Sequence, residues 1–121
     1  MQKLKSKDFE NIHEKILNKL TLAFDNSFEE NFVGQKMDLR DLYNCLINMM
    51  SSFVMSSYAT MIMKTLPPGQ DIKIVINAID KEFKEMYENK FKTMFDDEML
   101  KKLSLVSEEF QKRHTYFNNY H

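Results

Sequence analysis

The feature that most constrains this chain is an uncharged run from Leu42 to Met63, bounded by Asp41 and Lys64. The run is long enough to cross a bilayer, which takes about 20 apolar residues. Leu, Ile, Phe and Val each gain only about 0.3–0.6 kcal/mol on insertion, so a few polar residues offset that gain. The polar residues in the run are Asn44, Asn48, Ser51, Ser52, Ser56, Ser57 and Thr60. The run therefore predicts a helix of a soluble bundle, and a membrane span is the less favoured reading.

The polar side chains of this run change sides along the helix. At about 100° per residue, the polar residues of its first half lie on one side, namely Asn44, Asn48, Ser51 and Ser52. Beyond Phe53 apolar side chains take over that side, among them Ala59. Neither side is therefore polar along the whole length. We expect this helix to be the most buried one and excluded from water, either at the centre of the bundle or at the seam of a homodimer.

Turn residues divide the chain into apolar stretches with helical periodicity. Gly34 follows the first stretch and Pro67-Pro68-Gly69 follows the second, positions where a helix needs a left-handed exit or a tight turn. The predicted helices run from about Asp8 to Phe32, from Leu39 to Leu66, from near Gln70 through Phe95, and from Asp96 or Asp97 to Phe117. We predict an all-α fold, an antiparallel (up-down-up-down) four-helix bundle, in which the third and fourth helices could be one long bent helix.

Local signals support these boundaries. Asp8 and Asp38 are candidate N-caps, since a carboxylate can accept hydrogen bonds from the free amides of a first turn. The segment 72–76 (IKIVI) alternates like a strand, but helical spacing continues beyond it. Three oppositely charged pairs at i,i+4 also favour a helix there, namely Lys81/Glu85, Lys84/Glu88 and Glu88/Lys92.

Length and charge limit the architecture and the partners. A chain of 121 residues fits a single domain, so we assign residues 1–121 to one helical bundle with residues 1–7 as a disordered basic N-terminus. The net charge of −1 leaves no basic face for nucleic acid. Cys45 is the only cysteine, which excludes an internal disulfide and a cysteine-based zinc site. The first residues lack the apolar stretch of a signal peptide, so we expect the protein in the cytoplasm.

No catalytic signature is present in the sequence. It contains no glycine-rich phosphate loop, no nucleophile elbow and no HExxH motif. Glu10 and His13 have the Glu-x-x-His spacing of di-iron bundles, but such sites need a second pair, which only a homodimer could supply. We read these two residues as weak metal candidates and otherwise expect no metal site, no cofactor and no enzymatic activity.

Methionine and aromatic residues suggest a binding surface instead. Ten Met occur in the chain, and the flexible thioether adapts to more than one partner. A Met-rich stretch can fill an irregular core, or it can line a groove that receives a partner helix. The candidate contact residues are Met49, Met50, Phe53, Met61 and Met63, with Tyr116, Phe117 and Tyr120 of the C-terminal tail, which could instead dock on the bundle.

The sequence thus favours a protein–protein interaction module, such as a small adaptor, chaperone or inhibitor, that homodimerises or binds a partner helix. Two alternatives remain open at this point. One is a membrane-associated helical hairpin, and the other is a metal-dependent helical-bundle enzyme.

Overall fold

The computed structural model describes residues 3–113, and these contain four α-helices and no strand. The helices are α1 (Ser6–Phe32), α2 (Leu39–Thr65), α3 (Ile72–Met94) and α4 (Asp97–Arg113). The all-α prediction is confirmed for this part of the chain, and the strand-like segment 72–76 belongs to a helix. The up-down-up-down order of the helices stays a prediction.

The chain divides into two compact units, Met1–Lys36 and Met37–His121. The first unit contains α1, and the second contains α2, α3 and α4. Helix α1 runs without interruption to Phe32, the predicted end, and begins at Ser6, so Ser6 and Lys7 of the N-terminal segment are helical. The assignment of residues 1–121 to one domain stays a prediction.

Carboxylates fix the helix starts, as the sequence suggested. Asp38 accepts a hydrogen bond from the backbone N–H of Arg40 at 2.7 Å, which confirms Asp38 as the N-cap of α2. Asp8, however, is not a cap in the predicted sense. It lies inside α1 and accepts a hydrogen bond from the backbone N–H of Lys5 at 2.8 Å, because the helix begins earlier than predicted.

The third and fourth helices are separate. Helix α3 ends at Met94, and the side chain of Asp96 accepts a hydrogen bond from the backbone N–H of Met99 at 2.8 Å. This carboxylate satisfies an amide of the first turn of α4, so a new helix begins without a Gly or Pro. The suggestion of one long bent helix is therefore wrong.

A short turn returns the chain from α2 to α3. Gly69 has φ of +80°, which a residue with a Cβ rarely adopts, and the backbone N–H of Gln70 donates to the carbonyl of Pro67 at 3.2 Å. Asp71, a cap that the sequence reading missed, accepts from the backbone N–H of Lys73 at 2.8 Å. The turn allows α3 to pack against α2.

Very little of the described chain is buried. Leu42 is 4% exposed and Tyr58 is 7% exposed, and no other described side chain is classed as buried. Both residues belong to α2, but most of that helix is open to solvent. The expectation that α2 is excluded from water is therefore wrong for the single chain. The reason is that α2 is apolar on more than one side, while α3 covers only one of them.

Candidate interaction surface

One polar cluster joins α2 to α3. The hydroxyl of Tyr58 on α2 donates a hydrogen bond to Oδ1 of Asp80 on α3 at 3.0 Å. The other oxygen of the same carboxylate, Oδ2, lies 2.8 Å from Nζ of Lys84, four residues further along α3. Lys84 therefore pairs with Asp80. The sequence spacing had instead predicted a pair between Lys84 and Glu88. The cluster fixes the position of Tyr58 against α3 because both carboxylate oxygens are engaged.

The cluster shifts the pKa of two groups in opposite directions. Hydrogen bonds from Lys84 and then from Tyr58 lower the pKa of Asp80, since they stabilise its charged form. Burial, followed by the hydrogen bond to Asp80 and the repulsion from its charge, raises the pKa of Tyr58. Both shifts favour the pairing of a neutral phenol with an ionised carboxylate.

We expect the free energy of unfolding to fall at both ends of the pH scale. The contribution of Asp80, whose pKa is lowered on folding, is present above the unfolded aspartate pKa of about 3.9 and is lost as the pH falls through the folded value. The contribution of Tyr58, whose pKa is raised, is present below about pH 10 and is lost as the pH rises through the folded value. Urea unfolding at a series of pH values measures both limbs. The variant Tyr58→Phe should lack the alkaline contribution of this residue, and an unchanged alkaline limb would contradict the assignment.

A ladder of aromatic rings runs from the polar cluster along α3. Successive ring centroids lie 5.3–6.2 Å apart, within the range in which aromatic rings attract one another. The first contact crosses from α2 to α3 with nearly perpendicular rings, and the other three follow α3 at i,i+4 spacing. The rings belong to Tyr58, Phe83, Tyr87, Phe91 and Phe95.

An open groove of about 570 Å³ lies between α2 and α3 beside this contact. Nearly all of its lining is apolar, and Glu82 is the only lining residue with a formal charge. Of the predicted contact residues, Phe53 and Met61 line the groove. The remaining lining residues are Val54, Ser57, Tyr58, Val75, Ala78, Ile79, Glu82, Phe83 and Met86.

The other predicted contact residues of α2 lie elsewhere on the helix. Met49, Met50 and Met63 do not line the groove, and all three are exposed, Met63 to 76%. At about 100° per residue, Met49 and Met63 lie on the side of α2 opposite to Val54. The predicted set is therefore not one surface but is divided between the groove and the opposite side of the helix.

We call that opposite side the outer face of α2. Its members are exposed, carry no charge and recur at steps of four and three residues. The sequence analysis did not identify this face, although its alternating steps of four and three residues are the signal that finds it. The outer face consists of Cys45, Met49, Ser52, Ser56, Ala59 and Met63.

The remaining candidates do not join either surface. Glu10 and His13 are both exposed on α1, and no group of three metal-ligating side chains exists among residues 3–113. Cys45, in contrast, is exposed and belongs to the outer face. The predicted aromatic contacts Tyr116, Phe117 and Tyr120 lie outside the described residues.

Helix α2 also has the length and composition of a membrane span. It is the one helix of residues 3–113 that meets this criterion, and only 6% of its most apolar window is buried. A core helix of a soluble protein can pass the same test, but such a helix is mostly buried. Most of α2 is instead exposed in the described part of the chain.

Comparison with known proteins supplies no relative for this chain. No family model matches the sequence, and no curated protein or solved structure is similar to it at a significant level. The assignment of a function therefore depends on the surfaces of α2 and α3.

Proposed function

We propose that this chain is a non-enzymatic protein–protein interaction module, cytoplasmic in location, which binds a second copy of itself or a partner helix through the apolar surfaces of α2 and α3. The single observation that carries the proposal is that α2, which has no charge between Asp41 and Lys64, is largely open to solvent. Association buries apolar surface and removes it from water, which lowers the free energy.

Large apolar side chains of α2 leave much of their surface exposed. Large side chains such as aromatic rings bury about 150–250 Å² each, so one that is half exposed leaves roughly 100 Å² for a partner. Eight large hydrophobic side chains of α2 are about half exposed or more. Together they offer roughly 800 Å². This total equals the share that one partner contributes to a standard interface, but it is divided between the groove and other sides of α2, so a single contact would bury only part of it. These residues are Tyr43, Ile47, Met49, Met50, Phe53, Met55, Met61 and Met63.

The chemistry of the groove supports binding rather than catalysis. Its only charged lining residue is Glu82, and the hydroxyl of Tyr58 already donates to Asp80. General acid–base or nucleophilic catalysis needs at least two reactive groups within hydrogen-bond reach of a shared substrate. An apolar groove between two helices is instead the shape that accepts the apolar side of a third helix.

The oligomeric state of the purified protein tests the proposal. We expect light scattering coupled to size exclusion to give about twice the monomer mass of 14.5 kDa at micromolar concentration and above. A protein that stays monomeric up to millimolar concentration, and whose apolar surface binds no fluorescent hydrophobic dye, would overturn it. The dye is needed because a monomer that exposes apolar surface could still bind the helix of a different protein.

Membrane association is the second candidate, favoured by the length and exposure of α2. Flotation with phosphatidylcholine vesicles separates the two functions. We expect the protein to remain in the dense, lipid-free fractions, because the polar residues of α2 offset the gain from inserting its apolar ones. Flotation of most of the protein with the vesicles would favour the membrane function instead.

A further inference from the structure

We propose that the outer face of α2 pairs with the same face of α2 in a second copy of this chain, and that the two helices run antiparallel. The inference rests on the proposed function, since it specifies the partner and the geometry of an association that the proposed function leaves open. It concerns the side of α2 opposite to the groove, so the contact between α2 and α3 remains intact in the dimer.

The spacing of the outer face is that of a helix–helix seam. From Cys45 to Met63 the steps are four, three, four, three and four residues. The five steps span 18 residues, an average of 3.6 residues per step, so one line of side chains faces a neighbouring helix over this length. The line is exposed and uncharged throughout. A second helix can therefore follow it without burying a charge or displacing α3.

The charges at the two ends of α2 select the orientation. Asp41 lies near the start of the helix and Lys64 near its end, with no charge between them. An antiparallel pair places Asp41 of one copy and Lys64 of the other at the same end of the seam, so opposite charges share each end. A parallel pair would gather like charges at each end, which is less favourable. The helix macrodipoles also favour the antiparallel arrangement.

The outer face is self-complementary in size when it is reversed. When the two-fold axis crosses the outer face at the level of position 54 along the helix, Met49 faces Ala59 of the partner subunit, so a long side chain meets a short one. Ser52 faces the partner subunit's Ser56 near the axis, which lets the two backbones approach closely. Cys45 faces Met63 of the partner subunit at either end. A two-fold dimer needs this kind of self-matching surface.

Disulfide cross-linking tests the register directly, because Cys45 is the only cysteine. Within one chain, positions 45 and 63 are about 27 Å apart along α2, at about 1.5 Å per residue, so any disulfide between them joins two chains. The full chain and its variant Met63→Cys would be oxidised by air with copper phenanthroline and separated on a non-reducing gel. We expect at least about ten-fold more covalent dimer in the variant than in the unmodified chain, since only facing residues satisfy disulfide geometry.

Two control variants are oxidised in the same way. Thr65→Cys places the second cysteine two residues further along, on the side of α2 that carries the groove, and should give little cross-linking. The double variant Cys45→Ser/Met63→Cys leaves one cysteine at a position that an antiparallel pair keeps distant from its own copy, and should give none. Circular dichroism and light scattering on each variant before oxidation establish that the helices and the dimer persist.

The outcomes separate this inference from the proposed function. Cross-linking through Cys45 in the unmodified chain would show a parallel pair and overturn the inference. A dimer by light scattering without a bond between positions 45 and 63 would overturn the inference and leave the proposed function standing. A monomer that binds no hydrophobic dye would overturn both the inference and the proposed function. Flotation of the protein with vesicles would mean that lipid, and not a second copy, covers the outer face.

Discussion

Replacing Ser56 by aspartate is expected to dissociate the dimer, lowering its association constant by at least about a hundred-fold. Position 56 is exposed in the single chain and lies next to the proposed two-fold axis, so the substitution leaves the fold of one chain unaffected. In the dimer it would bury two uncompensated carboxylates close to each other. An unpaired buried charge costs about 3–5 kcal/mol, and each 1.4 kcal/mol is about ten-fold in affinity.

Light scattering over a concentration series measures this effect. The matched control is Asn44→Asp, which adds the same charge to the same helix at an exposed position outside the outer face. The control carries its charge near the helix N-terminus, where a carboxylate is tolerated. It should keep the association constant within a few-fold of the original. Equal affinities for the two variants would contradict pairing through the outer face.

Truncation of Leu42 should have the largest effect on folding. Leu42 is the least exposed of the described residues, at 4%, so Leu42→Ala removes apolar contacts and leaves a cavity. Substitutions of this kind lower the free energy of unfolding by about 2–5 kcal/mol. That is a large share of the roughly 5–15 kcal/mol that stabilises an ordinary domain. We expect a clearly lower urea midpoint at a fixed protein concentration, with helicity followed by circular dichroism.

The control for this prediction is Leu105→Ala on α4, where the side chain is 64% exposed. The same atoms are deleted there from a position that is already mostly hydrated. We expect the free energy of unfolding to change by less than about 1 kcal/mol, as for most surface substitutions. Equal losses in both variants would mean that exposure in the single chain does not measure the contribution of these leucines.

The ends of the helices could be predicted from local chemistry. The start of α2 at Leu39 follows from the carboxylate of Asp38, and the turn before α3 follows from a glycine with positive φ at position 69. The break between α3 and α4 was predicted at Asp96 or Asp97, but one long bent helix was left open because the choice depends on the side chain of Asp96 accepting one backbone hydrogen bond. Such a bond decides between two helices and one, but leaves no periodic trace in the sequence.

Burial and the grouping of the contact residues could not be predicted in the same way. Periodicity shows that α2 is apolar on several sides, but it does not show what covers each side. Phe53 and Met61 line the groove because Tyr58, between them, is held by Asp80 on α3. Met49 and Met63 lie opposite for the same reason. A contact 22 residues away in sequence therefore determines which methionines face which neighbour.

The aromatic ladder gives the pairing of α2 with α3 an optical signature. Three of its contacts join rings four residues apart along α3 and its C-cap residue Phe95, so they persist for as long as that helix is formed. Only the contact of Tyr58 with Phe83 depends on α2. Separating the two helices should therefore diminish the near-ultraviolet dichroism of Tyr58 while that of Tyr87 and the far-ultraviolet helical bands remain. With no tryptophan in the chain to obscure these bands, tyrosine spectroscopy can follow the opening of the hairpin independently of its melting.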